Sequence, residues 1–235
     1  MLKSRGTDLA TELRKAMDRL ASVGMPYRSG YYEMLVAKYS TSGIRYPRIL
    51  TRIGEPRIRK HPAYYQAVIQ PRAMLLDYGC GTGCDVRAVL VDGHPRDKVI
   101  GFDVVNDLVE LGFDLYLDKD RMNGIFVVSQ TFPFEESKFD TVYSGGVLQA
   151  IGKRQEVQRY IRNAYTSLRQ GGVFFGSTLG IDNPAIRGAD DPRTVLSENE
   201  AREFLEEAGF GCIEVRKAYL NDDNPKYRLV FSGRK

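Results

Sequence analysis

The sequence is poor in the residues that staple or metallate small folds. Three cysteines, Cys80, Cys84 and Cys212, and two histidines stand among 235 residues. Three thiols make no even disulfide framework, and Cys80 with Cys84 lacks a second Cys or His pair for zinc, so reduced thiols and no metal site are expected. No apolar run approaches the roughly 18 residues that a membrane-spanning helix needs, so no membrane partner is expected. The start, Met1 to Gly6, leads into mixed charged sequence instead of an apolar leader, which points to a cytoplasmic protein. Nothing in the sequence sets an oligomeric state.

What is present suits a single large domain: hydrophobic residues make up 43% of the chain, enough for a core without staples. The net charge of +4 hides an asymmetry. Residues 1–72 carry 14 Lys and Arg against 5 Asp and Glu, whereas the remainder is net acidic. Arg45, Arg48, Arg52, Arg57, Arg59 and Lys60 fall in one short stretch whose only acid is Glu55. Such a stretch either meets an anion or forms a solvated face.

From residue 73 onward, short apolar runs alternate with amphipathic stretches, the pattern of βα units around a mostly parallel sheet. Strands are predicted over Met74–Asp77, Val99–Asp103, Ile125–Val128, Thr141–Ser144, Val173–Ser177, Cys212–Arg216 and Tyr227–Ser232. Helices are predicted over Asp85–Val91, Asn106–Leu117, Arg154–Leu168 and Ser197–Ala208, with a capping box at Ser197 to Glu200 and stops at Gly171-Gly172 and Gly209. Residues 1–72 read as a helical and loop-rich extension, with helix periodicity at Leu9–Leu20 and then prolines at 26, 47, 56 and 62. Seven tyrosines, at 27, 31, 32, 39, 46, 64 and 65, suit either a pocket wall or helix docking. The extension is expected to pack on the α/β domain of residues 73–235 or to cover its site as a lid.

The chemistry-bearing stretch is Met74-Leu75-Leu76-Asp77-Tyr78-Gly79-Cys80-Gly81-Thr82-Gly83, an apolar strand ending in an acid and a glycine turn. Its G-x-G-x-G spacing does not fit the dinucleotide fingerprint G-x-G-x-x-G. A second strand, Val99-Ile100-Gly101-Phe102-Asp103, ends in a carboxylate one crossover helix later, as ribose recognition requires. Phe132-Pro133-Phe134 with Phe139-Asp140-Thr141-Val142-Tyr143-Ser144, and Leu168-Arg169-Gln170-Gly171-Gly172, follow in order.

These four motifs resemble class I S-adenosylmethionine-dependent methyltransferases. The resemblance implies a Rossmann-like α/β fold: a seven-stranded, mostly parallel sheet with helices on both faces and the last strand antiparallel. It implies S-adenosyl-L-methionine as cofactor, with Asp77 and the backbone of Gly79 and Gly81 at the methionine ammonium and Cys80, Thr82 and Gly83 nearby. Asp103 would take the ribose, Val104 would flank the adenine, and Ser129 and Gln130 would lie at its edge. The family's acid before that edge is replaced by Val128, which puts the adenine contact in doubt. Ser144 would face the sulfonium end, and Gln149 stands where many small-molecule relatives have a histidine. The segments Arg59–Tyr65, Asp85–Arg87 with Asp92-Gly93, Leu111–Asp118 and Gly176–Gly180 are similar to fungal secondary-metabolite methyltransferases, including those acting on meroterpenoid and polyketide intermediates.

Methyl transfer is an in-line substitution that mainly needs donor and acceptor held close and dry. A base matters only where the acceptor carries a proton. His94 precedes the second strand, at the wrong edge of the sheet, and reads as a surface turn residue. His61 lies in the basic extension and reads as either a base brought in by the lid or a structural residue. The sequence thus points to a small-molecule substrate, with O-methylation of a carboxylate favoured. A nucleic-acid or protein methyltransferase is the alternative, disfavoured because Ser144-Gly145-Gly146-Val147 carries no base-amino motif. A cofactor-binding scaffold without activity is the third reading.

Overall fold

The computed structural model describes residues 8–42, 44, 47–182, 194–219 and 226–235; Arg45 and Tyr46 lie outside these, as does the side chain of Arg48. The apolar run Leu75–Tyr78 is buried throughout, as a central parallel strand must be, and forms β1. The other strands are β2 (Val99–Asp103), β3 (Phe126–Val128), β4 (Phe139–Gly145), β5 (Leu168–Ile181), β6 (Gly211–Tyr219) and β7 (Lys226–Arg234). Their spatial order is β3-β2-β1-β4-β5-β7-β6. All pairings are parallel except those of β7, which runs antiparallel to both β5 and β6. The fold class read from sequence is the one observed. The strand order reverses between β1 and β4, and the crevice beyond their carboxyl ends is where such sheets bind ligands.

Strand alternation feeds two cores. Leu76, Val142 and Phe174 face the apolar stripe of α6 (Arg154–Ser167) and α7 (Glu198–Ala208), meeting Val157, Ile161, Phe204 and Leu205. Their neighbours Leu75, Tyr143 and Phe175 face the opposite way. There they meet Val86 and Val89 of α3 (Cys84–Val91) and Val109 and Phe113 of α4 (Asn106–Tyr116), with Met122 of the short α5 (Lys119–Met122). The capping box is formed: Ser197 N donates to Glu200 Oε2 at 2.8 Å, and Ser197 Oγ accepts from Glu200 N at 3.3 Å. Gly209, at φ 103°, closes α7 as expected. Gly171-Gly172 does not stop a helix. The helix has already ended at Ser167, and Gly171, at φ 78°, bends the irregular first part of β5 against β4.

The extension contains α1 (Leu9–Ser22), as the periodicity predicts, and also α2 (Tyr31–Tyr39), which it did not. Leu13, Leu20, Leu35, Leu50 and Ile53 form a third core with Leu111 and Leu115 of α4. The tyrosines of this region dock it. Tyr27 Oη donates to the Leu115 carbonyl, Tyr31 Oη to the Asp114 carbonyl at 2.9 Å, and Tyr39 Oη to Asp114 Oδ2 at 2.6 Å. Arg59 forms a fork on Asp92 at 2.8 and 2.6 Å, and Tyr64 Oη reaches the same carboxylate at 2.6 Å. No helix among the described residues is long and apolar enough to cross a membrane.

Candidate functional site

The parallel register of β1 with β2 and β4 brings Asp77, Asp103 and Gly145 to one edge of the sheet. Between them runs the glycine turn, with Gly79, Gly81 and Gly83 at φ of 77°, 56° and 70°. Positive φ is strained for residues bearing a Cβ. A second requirement is close approach: a Cβ at Gly79 would strike Val147, one at Gly81 would strike Ile49, and one at Gly83 would strike the Phe126 ring. Gly79 N and Cys80 N donate to the Phe102 carbonyl at 2.7 and 3.0 Å. Asp103 braces the turn, its Oδ2 accepting from Gly81 N at 2.7 Å and its Oδ1 from Val105 N at 2.9 Å.

From behind, Arg87 of α3 donates to the Thr82 carbonyl at 2.6 Å and forks onto Asp118 at 2.8 and 2.8 Å. Thr82 itself is buried, its backbone so close to α4 that a Cβ on Gly112 would overlap its carbonyl. Burial pushes the Cys80 thiol up, so it stays protonated and is no nucleophile at neutral pH.

Asp77 is buried, and among the described residues its Oδ2 has no hydrogen-bond partner. Burial, then the charges of Asp85 and Asp103, hold its carboxyl well above the usual range, with the Arg52 guanidinium opposing them. The Tyr143 hydroxyl is also buried and has no hydrogen-bond partner among the described residues; burial, then the charges of Asp85 and Asp77, push its pKa up. Sequence reasoning missed this hydroxyl. It also missed Asp85, whose Oδ1 accepts from Ile58 N at 2.9 Å and so ties the extension to the turn. Arg52, counted before only as one charge in the basic stretch, donates to the Gly145 carbonyl at the end of β4.

The remaining predicted residues divide. Val104 is 45% exposed at the mouth, where Gln130 Nε2 donates to its carbonyl at 2.8 Å and Ser129 N approaches the Asp103 carbonyl at 3.3 Å. Ser144 is fully buried beside Tyr160, 2.9 Å from its hydroxyl, so its side chain is spent on packing. Gln149 Oε1 accepts from Thr178 Oγ1 at 2.8 Å and Leu179 N at 2.9 Å, holding the loop after β4 to β5. His61 does not join the cluster. It is buried on Phe175, with Nε2 3.1 Å from the Phe231 carbonyl and Nδ1 accepting from Ala63 N at 3.1 Å. Burial lowers its pKa to about 4, leaving it neutral at pH 7. His94 is buried, not a surface turn residue, with Nε2 2.9 Å from the Ala73 carbonyl; it does stand at the far edge of the sheet. Among the described residues, no group of three or more His, Cys, Asp and Glu is placed to hold a metal ion.

Residues 75–172, a stretch short of half the chain that holds β1 to β4 and the glycine turn, match the methyltransferase domain family. Among curated proteins, the chain is similar to the asnovolin E/chermesin D methyltransferase nvfJ of Aspergillus novofumigatus. The two are 33% identical over 70 residues, covering 30% of this chain and 25% of the relative. It is also similar to the O-methyltransferase atr3 of Stereocaulon alpinum, 30% identical over 66 residues, covering 28% of this chain and 19% of the relative. The matched stretches therefore span only about a quarter or less of these relatives. Among solved structures, phosphoethanolamine N-methyltransferase 2 of Haemonchus contortus, bound to S-adenosylhomocysteine, superposes with a TM-score of 0.55 at 15% identity. The match covers 68% of this chain and 48% of that one, a likeness of fold.

Proposed function

We propose that the chain transfers the methyl group of S-adenosyl-L-methionine to an oxygen of a small acidic molecule, with a carboxylate as the favoured acceptor. The observation that carries this reading is the Asp77 carboxylate, buried at the glycine turn with Oδ2 unpartnered. A buried acceptor without a donor is costly, and an ammonium group is the donor that fits a carboxylate there. When bound, the cofactor supplies a methyl group activated by a sulfonium.

Asp77 and the carbonyls of Gly79 and Gly81 hold the ammonium end in this account. Asp103 uses one acceptor site on Gly81 N of the turn and one on Val105 N of its own loop, and a carboxylate has about four, so two remain for ribose hydroxyls. Val104 offers an apolar face to the adenine, with Ser129 and Gln130 at its rim. Residues before 72 cover the site: Ile49 lies over Gly81, and Arg52 reaches the end of β4.

The acceptor is inferred from the described residues, among which neither histidine is placed as a base. His61 has both ring nitrogens engaged and His94 stands at the opposite edge. Gln149 carries no titratable group. A carboxylate, with an ordinary pKa of about 4, needs no base at pH 7, whereas a phenol near 10 is ionised in only about one molecule in a thousand. The name of the relative atr3, an O-methyltransferase, agrees with oxygen as the acceptor atom. The test is methyl incorporation from labelled cofactor into a panel of carboxylic acids and phenols from pH 6 to 9. A flat rate on acids, unchanged by His61→Ala, supports the reading; a limb near pH 6.5 that vanishes with His61→Ala contradicts it.

A further inference from the structure

A cleft of about 370 Å3 opens beside the carboxyl ends of β4 and β5, lined by Arg19, Arg52, Arg57, Lys60 and Arg228 with Glu55 as its one acid. Three of these cations have work elsewhere. Arg19 donates to the carbonyls of Ile53 at 3.0 Å and Leu50 at 2.6 Å, Arg52 donates to the Gly145 carbonyl, and Lys60 lies 3.9 Å from Glu55. The guanidinium groups of Arg57 and Arg228 make no hydrogen bond or ion pair among the described residues, although both are half-buried.

Like charges gathered in a half-buried cleft repel, and no packing need explains two arginines where apolar residues would serve. Burial lowers the pKa of Arg57 to about 10, helped by the charges of Arg52 and Arg228 and opposed less strongly by Tyr143 and the buried Asp85; burial and Arg52 lower that of Arg228, with Tyr143 opposing. Unfavourable charge held in a cleft is the mark of a ligand site. Planar guanidinium groups match the oxygens of carboxylate and phosphate.

We propose that Arg57 and Arg228 form an oxyanion subsite that anchors a carboxylate or phosphate of the acceptor molecule, separate from the oxygen that is methylated. The separation follows from chemistry: an oxygen whose lone pairs are taken by two guanidinium groups is a weak nucleophile. The substrate class is then a molecule with two acidic or oxygen functions, one gripped in the cleft and one presented to the methyl group. The identity of that molecule as a methyl acceptor rests on the proposed function; anion binding itself does not.

The experiment is thermal unfolding of the full chain with saturating S-adenosylhomocysteine, titrated with inorganic phosphate or with succinate at ionic strength fixed by chloride. One or both anions raise the midpoint saturably in the wild type, and which of them does so separates a phosphate from a carboxylate ligand. Arg57→Gln or Arg228→Gln weakens that binding about tenfold, and the double variant loses it. Without anion, the double variant melts at or above the wild-type midpoint, because a repulsion has been removed. A midpoint no higher in either anion than in chloride, or a double variant that responds like the wild type, overturns the subsite. So does a double variant that melts well below the wild type without anion, which would assign the arginines to packing. Calorimetric binding of S-adenosylhomocysteine, measured in parallel, separates the two ideas: its absence with anion binding intact sinks the methyltransferase reading and leaves the subsite.

Discussion

Asp103 Oδ2 accepts the amide hydrogen of Gly81 at 2.7 Å, so the acid that ends β2 holds the glycine turn that ends β1. In the function proposed above, one carboxylate thereby does two things: it holds the turn through Gly81 N and offers its remaining lone pairs to the ribose hydroxyls. The Gly81 contact ties the turn to β2 and leaves Asp77 at the floor of the crevice, where no group among the described residues pairs its Oδ2. The site is thus built from backbone as much as from side chains, and its fragile parts are the residues that brace the turn.

Asp118 is one such part. Arg87 and Asp118 are 10% and 9% exposed in their side chains, and Arg87 carries the Thr82 carbonyl on the same guanidinium. Asp118→Ala leaves that cation buried and unpaired, at a cost of about 3–5 kcal/mol. A denaturant midpoint within error of the wild type would show that the pair is not structural.

The buried His61 sets a pH dependence of stability. Its folded pKa, about 4, lies below the ordinary 6.5, so between those values the unfolded chain binds the extra proton. The stability linked to His61 is therefore complete above pH 6.5 and is lost as pH falls toward 4. His61→Gln, which cannot titrate, is expected to melt closer to the wild type at pH 4.5 than at pH 7.5. The raised carboxyls of Asp77, Asp85 and Asp103 act in the opposite sense, but they are common to both proteins and cancel in the comparison. A gap between the two melting curves that stays constant with pH would contradict this assignment.

The extension is expected to tighten when the cofactor site fills. Arg19 ties α1 to the Leu50 and Ile53 carbonyls, and the same short segment rests on Gly81 through Ile49 and on Gly145 through Arg52. Hydrogen exchange at Ile53, whose amide bonds to the Leu50 carbonyl, should slow on adding S-adenosylhomocysteine. Equal exchange with and without it would remove the lid from the account.

Sheet and glycine turn were legible because they depend on local signals: apolar runs of strand length, an acid at the strand end, and glycines where the backbone must turn. The helix Tyr31–Tyr39 was not. Its polar anchors, Tyr31, Lys38 and Tyr39, are satisfied by Asp114 on α4, a partner distant in sequence. His94 misled for a related reason, since a histidine beside Gly93 and Pro95 reads as an exposed turn unless the Ala73 carbonyl that buries it is known. Gly171-Gly172 has the composition of a helix stop, yet Leu168 already packs beside Phe139, so the chain has entered the sheet before the glycines arrive. In the site, Asp77 and Asp103 could be found by motif. Tyr143 could not, because an orphaned hydroxyl is a property of packing and has no sequence signature.

Calorimetric titration with S-adenosylhomocysteine of the wild type, Asp103→Asn and Asp103→Ala tests the central claim most directly. The wild type should bind one equivalent, and Asp103→Ala should lose charge-assisted hydrogen bonds worth about 1.5–3 kcal/mol, weakening binding about tenfold to a hundredfold. Asp103→Asn keeps one acceptor but sets its NH2 against the N–H of either Gly81 or Val105, so it should fall between the two in affinity and melt below the wild type. Absence of binding by the wild type, or equal affinity in all three proteins, would contradict the assignment of this crevice to the cofactor.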